Sequence, residues 1–122
     1  MAVVHGVVID CADPKRLAEF WREVLGYEYR MEEPDWCSLR SPGGEAPFLS
    51  FQLVPEGKVV KNRVHLDIRP DGDTLDEERE HLEHLGATTL RFFDRGDYSH
   101  YIMADPEGNE FCLLSPDHAD VP

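Results

Sequence analysis

Asp13-Pro14-Lys15-Arg16-Leu17-Ala18-Glu19-Phe20-Trp21-Arg22-Glu23-Val24-Leu25-Gly26 is a helix with both of its ends written into it. Asp13 is an N-cap, and Pro14 takes the first helical position, where its missing N–H costs nothing. Leu17, Phe20, Trp21, Val24 and Leu25 follow the i, i+3, i+4, i+7, i+8 stripe of an amphipathic helix, and Gly26 ends it. Upstream, the β-branched run Val3 to Ile9 reads as a buried strand. Downstream come strand-like runs at about Tyr27–Met31, Trp36–Ser41 and Phe48–Val54, with Pro42-Gly43-Gly44 turning the chain between the last two. The order is βαβββ.

The same signposts return sixty positions later. His5 recurs as His65, Asp13 as Asp73, Leu25-Gly26 as Leu85-Gly86, and Phe51-x-Leu53 as Phe111-x-Leu113. A repeat of that length is one supersecondary unit used twice. Val64–Ile68 is a strand, Thr74-x-x-Glu77 is a capping box, and strands follow near Thr88–Phe93, Tyr98–Met103 and Glu110–Leu114. The turn Asp105-Pro106-Glu107-Gly108 answers Pro42-Gly43-Gly44 at a slightly wider spacing, which places a small insertion in the first hairpin. The second helix has the thinner stripe (Leu75, Leu82, Leu85) and is expected to pack less deeply. Module one spans about 1–55, a linker 56–62, module two about 63–115, and a loose tail 116–122, all in a single domain.

The chain has 122 residues, 25 acidic against 12 basic, and a net charge of -13. That field repels phosphate backbones and anionic lipid, so neither nucleic acid nor membrane is an expected partner. No apolar run approaches the roughly 18 residues of a spanning helix. Cys11, Cys37 and Cys112 are odd in number and form no CxxC pair, which fits free thiols and a cytoplasmic location.

Asp13-Pro14 with Phe20-Trp21 and Leu25-Gly26, Asn62-Arg63-Val64-His65-Leu66-Asp67, and Asp105-Pro106-Glu107-Gly108-Asn109-Glu110-Phe111 together resemble the vicinal oxygen chelate superfamily. That group holds glyoxalase I, extradiol dioxygenases, bleomycin-resistance proteins and fosfomycin-resistance enzymes. The resemblance spans about residues 3 to 115. It implies an α+β fold of two βαβββ modules forming a cupped, partly closed mixed sheet with helices outside. It also implies a small-molecule ligand and, as in many small members, a homodimer.

Metal-dependent members take one ligand from each of four strands. Strand alternation puts Val64, Leu66 and Ile68 on the helix side, and His65, Asp67 and Arg69 on the other. Carried back sixty residues, this sets Val4, Gly6 and Val8 against the first helix and His5 in the cup. The constellation is His5, Gln52, His65 and Cys112, with Glu110 on the same face as Cys112. His5, His65 and Glu110 are the candidate metal ligands, and Glu110 and Gln52 the candidate catalytic groups. Trp36, Asp67 and Cys112 are candidate ligand contacts. Two imidazoles with an oxygen donor suit Zn, Ni, Fe or Mn.

The pattern departs from the family in three places. Cys112 stands where a glutamate is usual, Gln52 stands where an acid is common, and His5 lies one residue too far from Asp13. Without a bulge to absorb that residue, Gly6 takes the ligand position and His5 turns toward the helix. Two functions remain open. One is metal-assisted lyase, isomerase or dioxygenase chemistry on a small oxygenated compound. The other is metal-free sequestration of a small planar or cationic compound, as in bleomycin resistance, with Trp36 gripping it and the acidic surface attracting it. Lys58, Lys61 and Arg63 form either an anion clamp or a solvated linker. His65-Leu66-Asp67 also fits the H-x-D of iron/2-oxoglutarate oxygenases with His118 as distal ligand, but the prominent helices argue against a jelly roll.

Overall fold

The computed structural model describes residues 1–117. The expected tail, including His118, lies almost wholly outside them. The chain divides into two compact units, Met1–Gly57 and Lys58–Pro122. The first holds β1 (Gly6–Cys11), α1 (Pro14–Leu25), β2 (Glu28–Glu33), β3 (Trp36–Arg40) and β4 (Phe48–Leu53). The second holds β5 (Asp67–Ile68), α2 (Leu75–Leu85), β6 (Thr88–Asp94), β7 (Ser99–Ala104) and β8 (Glu110–Leu114). Each is a βαβββ module with one four-stranded mixed sheet, ordered β1-β4-β3-β2 in the first and β5-β8-β7-β6 in the second. In each the first strand runs parallel to the last and the other pairs are antiparallel.

The helix ends follow the sequence. The Asp13 carboxylate accepts the Arg16 N–H, and Gly26 sits in the left-handed region at φ 66. Thr74 and Glu77 form the reciprocal capping box. Packing depth differs as expected: α1 buries Pro14, Leu17, Ala18, Phe20 and Trp21, whereas α2 fully buries only Leu82.

Strand boundaries moved where partners ran out. β1 starts at Gly6 because β4 begins opposite it at Phe48, whose N–H bonds the His5 carbonyl. Val3 and Val4, 92% and 66% exposed, have no strand beside them among the described residues. β2 starts after Tyr27, whose N–H is spent on the Arg22 carbonyl at the helix stop. β5 is cut to two residues, with Val64 and His65 ahead of the ladder. The chain approaching it is held by the Glu110 side chain, which accepts the Asn62 N–H.

Register revises the face assignment of the first module. Val7 lies opposite Leu49 and Ile9 opposite Phe51, with Leu39 and Cys37 next in the same rows. Leu39, Leu49, Phe51 and Cys37 are buried and α1 packs on β3 and β4. The odd-numbered residues of β1 therefore face the helix, and Gly6, Val8 and Asp10 face away. The sixty-residue offset fails in β1 because the duplicated strand is not shifted by sixty.

The true correspondence follows from a bulge that both modules keep. The ladder slips between Tyr29 and Met31 in β2, and between Thr89 and Arg91 in β6. Tyr29 pairs with Leu39 and Thr89 with Met103; Leu39 pairs with Leu49 and Met103 with Phe111. One step further along these last strands, Ser50 lies opposite Val8 and Cys112 opposite Asp67. So Ser50 matches Cys112, Val8 matches Asp67, and Gly6 matches His65. His5 and Gln52 are not the register counterparts of His65 and Cys112.

Candidate functional site

The second sheet gathers three chemically different donors on the face turned away from α2. Asp67 lies directly across the β5–β8 pair from Cys112. His65, two residues earlier, projects to the same side by strand alternation. A ring nitrogen of His65, a carboxylate oxygen of Asp67 and the Cys112 sulfur all lie within 4.8 Å of one another. His65 Nε2 is 3.2 Å from Asp67 Oδ1. His65 and Asp67 are exposed and Cys112 is half-buried. Burial, and then the nearby Asp67 carboxylate, push the Cys112 thiol up, so it keeps its proton at neutral pH.

Glu110 stands one inward-facing position before Cys112 on β8 but is engaged elsewhere. Its oxygens take the Lys58 ammonium at 2.9 and 3.0 Å and the Asn62 N–H at 3.2 Å. Burial works to raise its carboxyl, but the Lys58 and Asn62 hydrogen bonds outweigh that and hold it below the usual range. Lys58, a candidate clamp or solvated linker residue, is thus an internal brace. Lys61 donates to the Asn62 carbonyl at 3.5 Å.

The first sheet carries a different arrangement. Gly6 and Ser50, at the places of His65 and Cys112, bring one hydroxyl and no strong ligand. A Cβ on Gly6 would meet the Phe48 carbonyl oxygen at 3.2 Å, so the strands approach too closely there for a larger residue to fit without movement. Ser50 donates to Ser38 at 2.9 Å, both buried. His5 lies just before β1 and sets its ring edge against Phe48, with centroids 5.1 Å apart. Trp36 lies across from Gln52 in the β3–β4 ladder. Sequence reading missed Arg30, Ser38 and Ser50. A repeated bulge gives no residue signature, and serines in strands look like filler.

The model of the glyoxalase-like domain matches residues 6–114. The chain belongs to the glyoxalase-like domain family. No curated protein matches it. The fold is similar to a glyoxalase/bleomycin resistance protein/dioxygenase family enzyme from Burkholderia phytofirmans, at 19% identity, 93% of this chain, 98% of that one and a TM-score of 0.73. It is also similar to a glyoxalase-related enzyme from Fulvimarina pelagi, at 17% identity, 93% of this chain, 88% of that one and a TM-score of 0.69. A protein from Agrobacterium tumefaciens solved in solution gives 17% identity, 94% and 98% coverage and a TM-score of 0.74. Among the described residues, no helix of this glyoxalase-like protein is long and apolar enough to cross a membrane.

Imidazole nitrogen, carboxylate oxygen and thiolate sulfur are the three ligand types that zinc accepts, and a borderline divalent ion tolerates all three together. Their close grouping on two paired strands fits such an ion.

Proposed function

We propose that this glyoxalase-like protein is a small-molecule enzyme whose divalent ion (Zn, Ni, Fe or Mn) is held by His65, Asp67 and Cys112. The reaction class is lyase, isomerase or dioxygenase chemistry on a small oxygenated compound. The observation that carries this reading is the meeting of three donor types within 4.8 Å on one sheet face. An ion bound there supplies Lewis-acid polarisation of adjacent substrate oxygens. His65 Nε2 and Asp67 Oδ1 stand 3.2 Å apart, close enough for both to serve one ion. Glu110 secures residues 58–62 through Lys58 and Asn62 rather than accepting a proton. His5 and Gln52 belong to the first module and supply no ligand in this reading.

Metal analysis of tag-free protein purified without chelator tests it. About one equivalent of transition metal is expected. His65→Ala and Cys112→Ser lose it, and with it the added thermal stability that a ligand bound to the native state confers. His5→Ala keeps both. Protein that stays metal-free after reconstitution, or His65→Ala protein that retains the ion, ends the proposal.

A second reading is metal-free ligand binding. It is favoured by Gly6 and Ser50 standing where the resemblance places half of a four-strand ligand set. Under it, the wild type and His65→Ala bind a small ligand equally and neither holds metal.

A further inference from the structure

In a chain of net charge -13, one guanidinium on the first sheet has no carboxylate within ion-pair distance among the described residues. It belongs to Arg30, the residue at the β2 bulge. A bulge re-aims the side chain it carries, and here Arg30 reaches the face turned away from α1. Its Nη1 donates to Ser38 Oγ at 3.2 Å, and Ser38 accepts in turn from Ser50 at 2.9 Å. The guanidinium carbon lies 4.2 Å over the Phe48 ring. The two serines are buried while Arg30 is exposed.

A flexible cation is thereby seated on a ring and pinned at one nitrogen, with its other N–H groups left for solvent or a ligand. An arginine fork so held is preorganised for a planar, bidentate acceptor. The second module has Leu90 at its bulge, so the device is built into one copy only.

We propose that Arg30, seated on Phe48 and Ser38, is the recognition residue of an anion subsite that takes the carboxylate of a small organic ligand. A single positive charge matches a carboxylate monoanion better than a phosphate dianion, which the acidic chain would repel more strongly. The next row of the same face, Glu33–Trp36–Gln52–Asp10, ends in an acid at each margin, so the carboxylate is steered to the Arg30 row. Trp36 in that row provides an aromatic surface for the body of the ligand. The subsite uses none of the residues of the proposed metal centre and is tested without metal.

The probes are benzoate, its neutral isostere benzamide, and inorganic phosphate, titrated into chelator-treated full-length protein and followed by amide and side-chain NMR shifts. Benzoate is expected to shift Arg30 Nε, the Ser38 and Ser50 amides and the Trp36 indole. Benzamide and phosphate should bind at least about ten-fold more weakly, the loss of one charge-assisted pair. Arg30→Met should weaken benzoate roughly ten- to hundred-fold with the amide spectrum otherwise preserved. Arg30→Lys, which keeps the charge but not the fork, should recover only part. Equal binding of benzamide or phosphate, benzoate binding unchanged in Arg30→Met, or no benzoate shifts in the first module at about 50 mM would overturn the proposal.

Discussion

The two modules share strand order, a bulge in the same ladder and a glycine helix stop, yet the side chains on the sheet face away from the helix differ. The first sheet offers Gly6, Val8 and Ser50 where the second offers His65, Asp67 and Cys112. Packing diverged too, with α1 sunk into its sheet and α2 riding on Leu82. The two copies therefore share strand order and ladder pattern but differ both in how deeply the helix packs and in the side chains on the opposite face. The backbone skeleton and the chemistry answer to separate constraints.

The largest effect should come from the packing contrast. Trp21→Ala empties a site that is 1% exposed and should cost about 3–5 kcal/mol, read as a fall in the urea midpoint. Leu75→Ala, half-buried on α2, should cost about 1 kcal/mol. Similar costs at the two helices would break the comparison. Gly6→Ala should then destabilise by roughly 1–2 kcal/mol, because the new methyl is forced against the Phe48 carbonyl oxygen in paired backbone. Unchanged thermal stability would show that β1 and β4 can part, and would weaken the distinction between the sheets.

Thr74→Ala removes the acceptor of the Glu77 N–H and should cost about 1 kcal/mol, as much as Leu75→Ala on the stripe, read as a fall in the urea midpoint. The smallest effect concerns the surface trio on module one. A hydrogen bond from Arg22, helped by the Tyr29 hydroxyl, holds the Glu19 carboxyl down at about 2. Burial, with Glu19 beside it, pushes Tyr29 up to about 12. The native state thus binds fewer protons than the unfolded chain between about 2 and the ordinary 4.5. The stabilisation is complete above that window and is lost as pH falls through it. Solvent screening keeps it below about 1 kcal/mol. Wild type and Glu19→Gln should therefore differ slightly at pH 7 and converge toward pH 2 in denaturant titrations.

Helices were legible because their signals are local: Asp13-Pro14, the Thr74–Glu77 box and the glycine stops act within one turn. The strands were legible as runs, but their ends depended on partners that no local pattern reveals. The shared face of His65 and Asp67 was legible, because Leu66 and Ile68 fix it directly. The face of β1 was misread because β1 was placed by analogy with β5. Val7 and Ile9 are as apolar as Val4 and Val8, so hydrophobic alternation could not choose the face. Only the one-residue excess between His5 and Asp13 carried the information. Arg30 was invisible for a related reason: a bulge is a property of a ladder, and two strands must be seen together to find it.

The tight passage at Gly6 also couples residue choice to strand spacing. Any side chain placed there, histidine included, asks the Phe48 carbonyl to give by a few tenths of an ångström, so position 6 and the β1–β4 pairing change together.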